Sequence, residues 1–107
     1  MRERKHLGDT ELYGGFVRLH ILYHASKEAV FGLGIMEELR RHGYALSPGT
    51  LYPMLHAMEE AGYLRSKSCI VDGKTRRNYL ITARGRGALA AAKEKVKELF
   101  GELFEAD

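Results

Sequence analysis

Histidine, a lone cysteine and a concentrated group of basic residues are the side chains of this 107-residue sequence that could do chemistry. His6, His20, His24, His42 and His56 show no metal-ligand spacing with Cys69 or with a carboxylate cluster. His20 and His24 stand four apart and share a helix face. The glutamate and third ligand of a zinc hydrolase do not follow them, so they read as ordinary helix residues, and no metal site is expected. Gly32-Leu33-Gly34 lacks the third glycine and the preceding strand of a dinucleotide site. No nucleophile, base and acid stand together. The sequence therefore predicts neither an enzyme nor a bound cofactor.

The basic residues point elsewhere. Net charge is only +3, but Gly62 to Gly87 holds seven basic residues against the single acid Asp72, whereas from Ala88 onward acids outnumber lysines. Lys74, Arg76 and Arg77 follow an Asp72-Gly73 turn signal and suit phosphate neutralisation, each contact steepening salt dependence by about one counterion. A second set lies in Ser47-Pro48-Gly49-Thr50-Leu51-Tyr52-Pro53. Ser47, Thr50 and Tyr52 carry hydroxyls that can donate to phosphate, and His56 can reach a base edge or a phosphate. Gly49, Tyr52, Pro53 and His56 fall on the side of the helical wheel away from its apolar face.

These residues need elements to hold them. Asp9 or Thr10 can cap a first helix whose Leu12, Phe16, Leu19 and Tyr23 form a core stripe, with Gly14 and Gly15 marking either close packing or a later start. A second helix spans about 31–41, with Leu33, Met36, Leu39 and Ile35 inward, and His42-Gly43 ends it. In the third, Leu51, Met54, Leu55, Met58 and Ala61 share a face, and Gly62 stops it. Ser47 or Thr50 can cap this helix; Pro48 suits a first helical position, and Pro53 loosens the first turn under either cap. The unpaired N–H groups at such a helix front, with the helix dipole, attract phosphate.

From Leu64 the pattern becomes that of a β-hairpin, pairing Val71 with Lys74, Cys69 with Arg76 and Ser68 with Arg77, and placing Leu64, Ile70, Tyr79 and Ile81 on one face. Cys69 reads as a half-buried strand residue. Thr82 can cap a last helix to about Phe104, whose Leu89, Val96, Leu99, Phe100 and Leu103 form more apolar surface than so small a core can cover, so a second copy is the simplest cover. Apolar content of 45% and charged content of 29% fit a soluble globular chain. No apolar run spans a bilayer and no signal peptide is present, which predicts no membrane partner and a cytoplasmic location.

Helix, helix, short turn, helix and basic hairpin describe an α+β, mainly α, winged helix-turn-helix that binds double-stranded DNA, with an added C-terminal dimerisation helix. The division expected is 1–81 for DNA binding and 82–107 for dimerisation. The rival reading is a winged helix that binds protein and not DNA, supported by Glu59, Glu60 and the absence of Lys or Arg on the third helix.

The run from Ser47 to Pro53, with Leu55, Met58-Glu59, Gly62 and Leu64, resembles the recognition helix of the PadR family of transcriptional regulators, S-x-G-T-L-Y-P-x-L-x-x-L-E-x-x-G-x-L. Gly32 to Ile35 with Leu39 is similar to the family's G-Y-x-I segment, although Leu33 replaces the usual tyrosine. Arg76-Arg77, Tyr79, Ile81-Thr82 and Gly85 are similar to its R-R-x-Y-x-L-T-x-x-G. His56-Ala57 stands where a basic residue is common, and the short tail lacks tryptophan. The resemblance implies a cytoplasmic homodimeric repressor on a near-palindromic operator and, as in some members, release by a small aromatic or phenolic effector held near the dimer interface.

Overall fold

The computed structural model describes residues 9–105. Helix α1 (Asp9–Lys27) leads through a two-residue strand β1 (Val30–Phe31) into α2 (Gly32–Arg41), a six-residue turn and α3 (Pro48–Glu60). Strands β2 (Leu64–Val71) and β3 (Lys74–Ile81) form the hairpin, and α4 (Ala83–Phe100) closes the chain with a π-helical turn, Gly101–Glu105. The expected cap contact at Asp9 or Thr10 involves side chains outside the described residues.

The first helix corrects one expectation. Its core face is Val17, Ile21, Leu22 and Ala25, while Leu12, Phe16 and Tyr23 are exposed and Leu19 is half-buried. The helix is apolar on two opposite sides, so wheel position alone could not tell which side meets α2 and β3. Gly14 and Gly15 both lie within the helix, which rules out a later start. Similarly, α2 buries Ile35, Met36 and Leu39 but exposes Leu33 at 66%. Phe31 is drawn into β1, and Leu33 falls on the outer side of the helix's first turn.

A left-handed glycine, Gly43, ends α2, with the Gly43 and Tyr44 N–H groups donating to the Arg40 and Leu39 carbonyls at 3.0 and 2.9 Å. Helix α3 buries Leu51, Met54, Leu55 and Met58 as expected, while Ala61 is exposed at its C-cap. Gly62, φ +87°, turns the chain into β2.

The hairpin has the expected register, and Asp72 and Gly73 both take positive φ, the two-residue turn that matches strand twist. Leu64 and Tyr79 are buried and Ile81 is half-buried, but Ile70 on the same face is 69% exposed, because the outer half of the hairpin extends past the helices. The two residues of β1, too few to show a period, pair Val30 with Tyr79 and Phe31 with Asn78, making a sheet of order β1-β3-β2.

Thr82 bolts α4 to the end of α3. Its hydroxyl accepts from Gly85 N–H at 2.9 Å and donates to the Gly62 carbonyl at 2.6 Å, while its own N–H donates to Tyr63 O at 3.1 Å. Only a glycine fits at Gly85: a Cβ there would lie 2.7 Å from Ile81 Cγ1 and overlap the Tyr63 carbonyl. The family-like T-x-x-G pattern thus has a packing cause. Among the described residues, no helix is long and apolar enough to cross a membrane.

Candidate nucleic-acid interface

Helix α3 begins at Ser47, whose backbone carbonyl accepts from Thr50 and Leu51 N–H at 3.0 and 2.9 Å. Its hydroxyl donates to Thr50 Oγ1 at 3.3 Å and makes no capping bond to the backbone. Pro53 is therefore the sixth helical residue, and it removes the amide that would bond the Gly49 carbonyl. The helix front keeps the positive end of its dipole uncapped by side chain, with Ser47 and Gly49 exposed, Thr50 half-buried, and Tyr52 and His56 exposed behind them. The Tyr52 ring rests on Gly32 at the start of α2, where a Cβ would come within 2.5 Å of two ring carbons. A bare α-carbon on α2 thus seats the aromatic ring of α3.

The wing divides its cations between its two faces. Arg77 shares the face of Leu64 and Tyr79 that packs toward α3, with Nη1 3.5 Å from Ser66 Oγ. Arg76 points to the other face, its guanidinium 3.8 Å above the Phe31 ring and its Nε donating to Asn78 Oδ1 at 3.3 Å. Lys74 is exposed at the tip. Half-buried Cys69 accepts from Asn78 Nδ2 at 3.4 Å.

Glu59 is occupied inside the fold. Its Oε2 accepts from the Ser66 hydroxyl at 2.7 Å and from Ser66 N–H at 2.9 Å, tying α3 to β2. The hydroxyl bond is the main reason that its carboxyl titrates below the ordinary glutamate range; the Ser66 N–H, Arg77 and His56 act in the same direction, and burial acts against them.

Away from the α3 front, a groove of about 680 Å³ runs between α1 and α4, with Phe16, Leu19 and Tyr23 on one side and Leu89, Val96 and Phe100 on the other. Leu89 is half-buried against the core, whereas Val96, Leu99, Phe100 and Leu103 are all more than two-fifths exposed. Phe16, Leu19 and Tyr23, three of the α1 stripe first expected in the core, thus face this groove.

His20, His24, His42 and Glu38 also line it. The sequence showed the i, i+4 pair of His20 and His24; the fold adds His42 from the end of α2, stacking it on His20 at 4.4 Å between ring centroids. Burial, then the neighbouring His42 and His24, hold the His20 imidazole below its ordinary pKa, against the opposite pull of Glu38. The contacts of Gly32 with Tyr52, Phe31 with Arg76, Glu59 with Ser66 and His42 with His20 were not foreseen from sequence, since each joins residues distant along the chain.

Residues 21–91 match the transcriptional regulator PadR-like family. The chain is 49% identical over 88 residues, 82% of each chain, to the transcriptional regulator Rv3488 of Mycobacterium tuberculosis. It superposes on a PadR-like transcriptional regulator of Bacillus cereus with a TM-score of 0.76 at 27% identity, covering 90% of this chain and 98% of that one. For a PadR family transcriptional regulator of Eggerthella lenta the TM-score is 0.77 at 27% identity, covering 91% and 88%. With the winged helix in place and the match spanning most of its length, the chain belongs to the PadR-like family of DNA-binding transcriptional regulators.

Proposed function

We propose that the protein is a cytoplasmic homodimeric repressor of a near-palindromic operator, with residues 1–81 binding DNA and 82–107 joining the two copies. The front of α3 lies on the major groove. Ser47, Thr50 and Tyr52 hold phosphates, Gly49 allows close approach of the backbone, and His56 faces a base edge. Lys74 and Arg77 neutralise phosphates from the wing, and Arg76, stacked on Phe31, sets the wing's angle as well as adding charge. Val96, Leu99, Phe100 and Leu103 pair with a second copy, with Leu89 continuing the seam inward. A small aromatic effector fits the apolar α1–α4 groove, where it would bias the spacing of the two α3 helices.

The observation that carries this reading is an exposed α3 front with no side-chain cap, flanked by Arg77 on the sheet face that packs toward α3. The rival protein-binding reading loses one of its supports, because Glu59 is engaged by Ser66, which leaves Glu60 and the lack of Lys or Arg on α3 to carry it. The test is retardation of DNA from beside the protein's own gene, where half-site centres about 10 base pairs apart, or a multiple, fit a twofold dimer. Lys74→Ala/Arg76→Ala/Arg77→Ala should weaken binding and flatten the log K against log salt plot by up to about three units. Unchanged binding in that variant removes the wing from the interface.

A further inference from the structure

We propose that His20, His24 and His42, with Glu38 as a fourth ligand, form a binding site for a divalent transition-metal cation of the zinc type, clasping α1 to the turn that leads into α3. The three histidines each offer a ring nitrogen, and these nitrogens lie within 4.8 Å of one another. Glu38 Oε2 is 3.7 Å from His24 Nε2 and 3.3 Å from His42 Nε2. On tetrahedral zinc two nitrogens sit about 3.3 Å apart, so the ligands need to converge by no more than about 1.5 Å, within the reach of side-chain rotation.

Two further observations favour a cation over a mere histidine cluster. His24 Nε2 is buried from solvent and has no hydrogen-bond partner, since Glu38 Oε2 at 3.7 Å is too distant to bond it. Glu38 is also pre-aimed: Arg41 Nη1 donates to Oε1 at 2.6 Å, which leaves Oε2 turned to the histidines. Three imidazoles and one carboxylate suit zinc and its neighbours and do not suit calcium or magnesium, which prefer all-oxygen sites.

The placement gives the site a consequence. His20 and His24 belong to α1, whose outer stripe lines the groove, whereas His42 is the C-cap of α2, five residues before Ser47. Zinc bound here holds the helix-turn-helix to the element that faces α4. Zinc binding at this site does not rest on the DNA-binding proposal.

The test uses the full chain, free of tags and stripped of metal, titrated with zinc sulfate against a chromophoric chelator. One zinc per chain, with a raised melting temperature and visible absorption of tetrahedral cobalt(II) on substitution, is expected. His24→Ala and His42→Ala should each weaken zinc by about 100-fold or more, while His56→Ala leaves it unchanged. His42 is on the surface, so its variant keeps the fold even if replacing His24 harms it. No stoichiometric zinc binding by the parent chain, or undiminished binding in His42→Ala, overturns the assignment. A variant that loses stability at His24 while the parent shows no zinc response would reduce the cluster to an ion-pair network with Glu38.

Discussion

Gly85 and Gly87 lie two residues apart on α4, so replacing each with alanine makes one chemical change in two surroundings. At Gly87 nothing lies within 4 Å of the added methyl, which should stabilise the helix by about 0.5–1 kcal/mol through lower chain entropy and better propensity. At Gly85 the methyl would meet Ile81 Cγ1 at 2.7 Å and the Tyr63 carbonyl carbon at 3.1 Å, and would overlap its oxygen. That oxygen is not free to withdraw, because it accepts the Thr82 N–H, and the adjacent Gly62 carbonyl accepts the Thr82 hydroxyl. Overpacking of this kind costs about 1–3 kcal/mol, and a strained Thr82 bond adds about 1 kcal/mol, which together outweigh the helix gain. Gly85→Ala should therefore lower stability by about 1–3 kcal/mol while Gly87→Ala raises it. Urea unfolding followed by circular dichroism measures both, at one fixed chain concentration because association would shift the midpoints. A Gly85→Ala chain as stable as the parent would refute the close packing described at the α4 start.

Gly32→Ala should displace the Tyr52 ring and lower operator affinity about tenfold with the fold retained, since one lost positioning contact is worth about 1–1.5 kcal/mol; unaltered affinity would leave Tyr52 without a DNA role. Glu59 titrates below its ordinary value when folded, so its contribution is present above that value and is lost as pH falls through the lowered one. Glu59→Gln should accordingly flatten the loss of melting temperature below about pH 4, and an identical acid limb would dissociate Glu59 from acid stability. Leu99→Glu/Leu103→Glu should yield monomer on size-exclusion chromatography, and a variant that stays dimeric would place the seam elsewhere. Ile21→Ala should destabilise by about 2–5 kcal/mol in urea, whereas Phe16→Ala, on the exposed side of α1, should do far less.

Much of this fold was legible because local rules were sufficient. Asp72-Gly73 fixed the hairpin register, Thr82 marked a helix start, and the α3 stripe Leu51, Met54, Leu55 and Met58 had only one side to bury. Helix α1 resisted for the opposite reason: with two apolar sides, its periodicity identifies stripes without ranking them, and the larger residues belong to the groove. In the candidate interface, residue types exposed the α3 front and the wing charges. The side chains that position them were hidden, since Phe31 under Arg76, Gly32 under Tyr52 and Ser66 against Glu59 meet across gaps in sequence that no pattern bridges.

The pairing of β1 with β3 also makes the connection between α1 and α2 the fulcrum of the wing. Tyr79, opposite Val30, is five residues from Lys74, so the hairpin tip stands about 17 Å out along the strand from that anchor. A rotation of about 10° at the α1–α2 elbow would carry Lys74 through about 3 Å, the length of a hydrogen bond to phosphate. Motion of the tip is thus governed from the rear of the molecule, and small rearrangements beside the α1–α4 groove are magnified at the charged end of the hairpin.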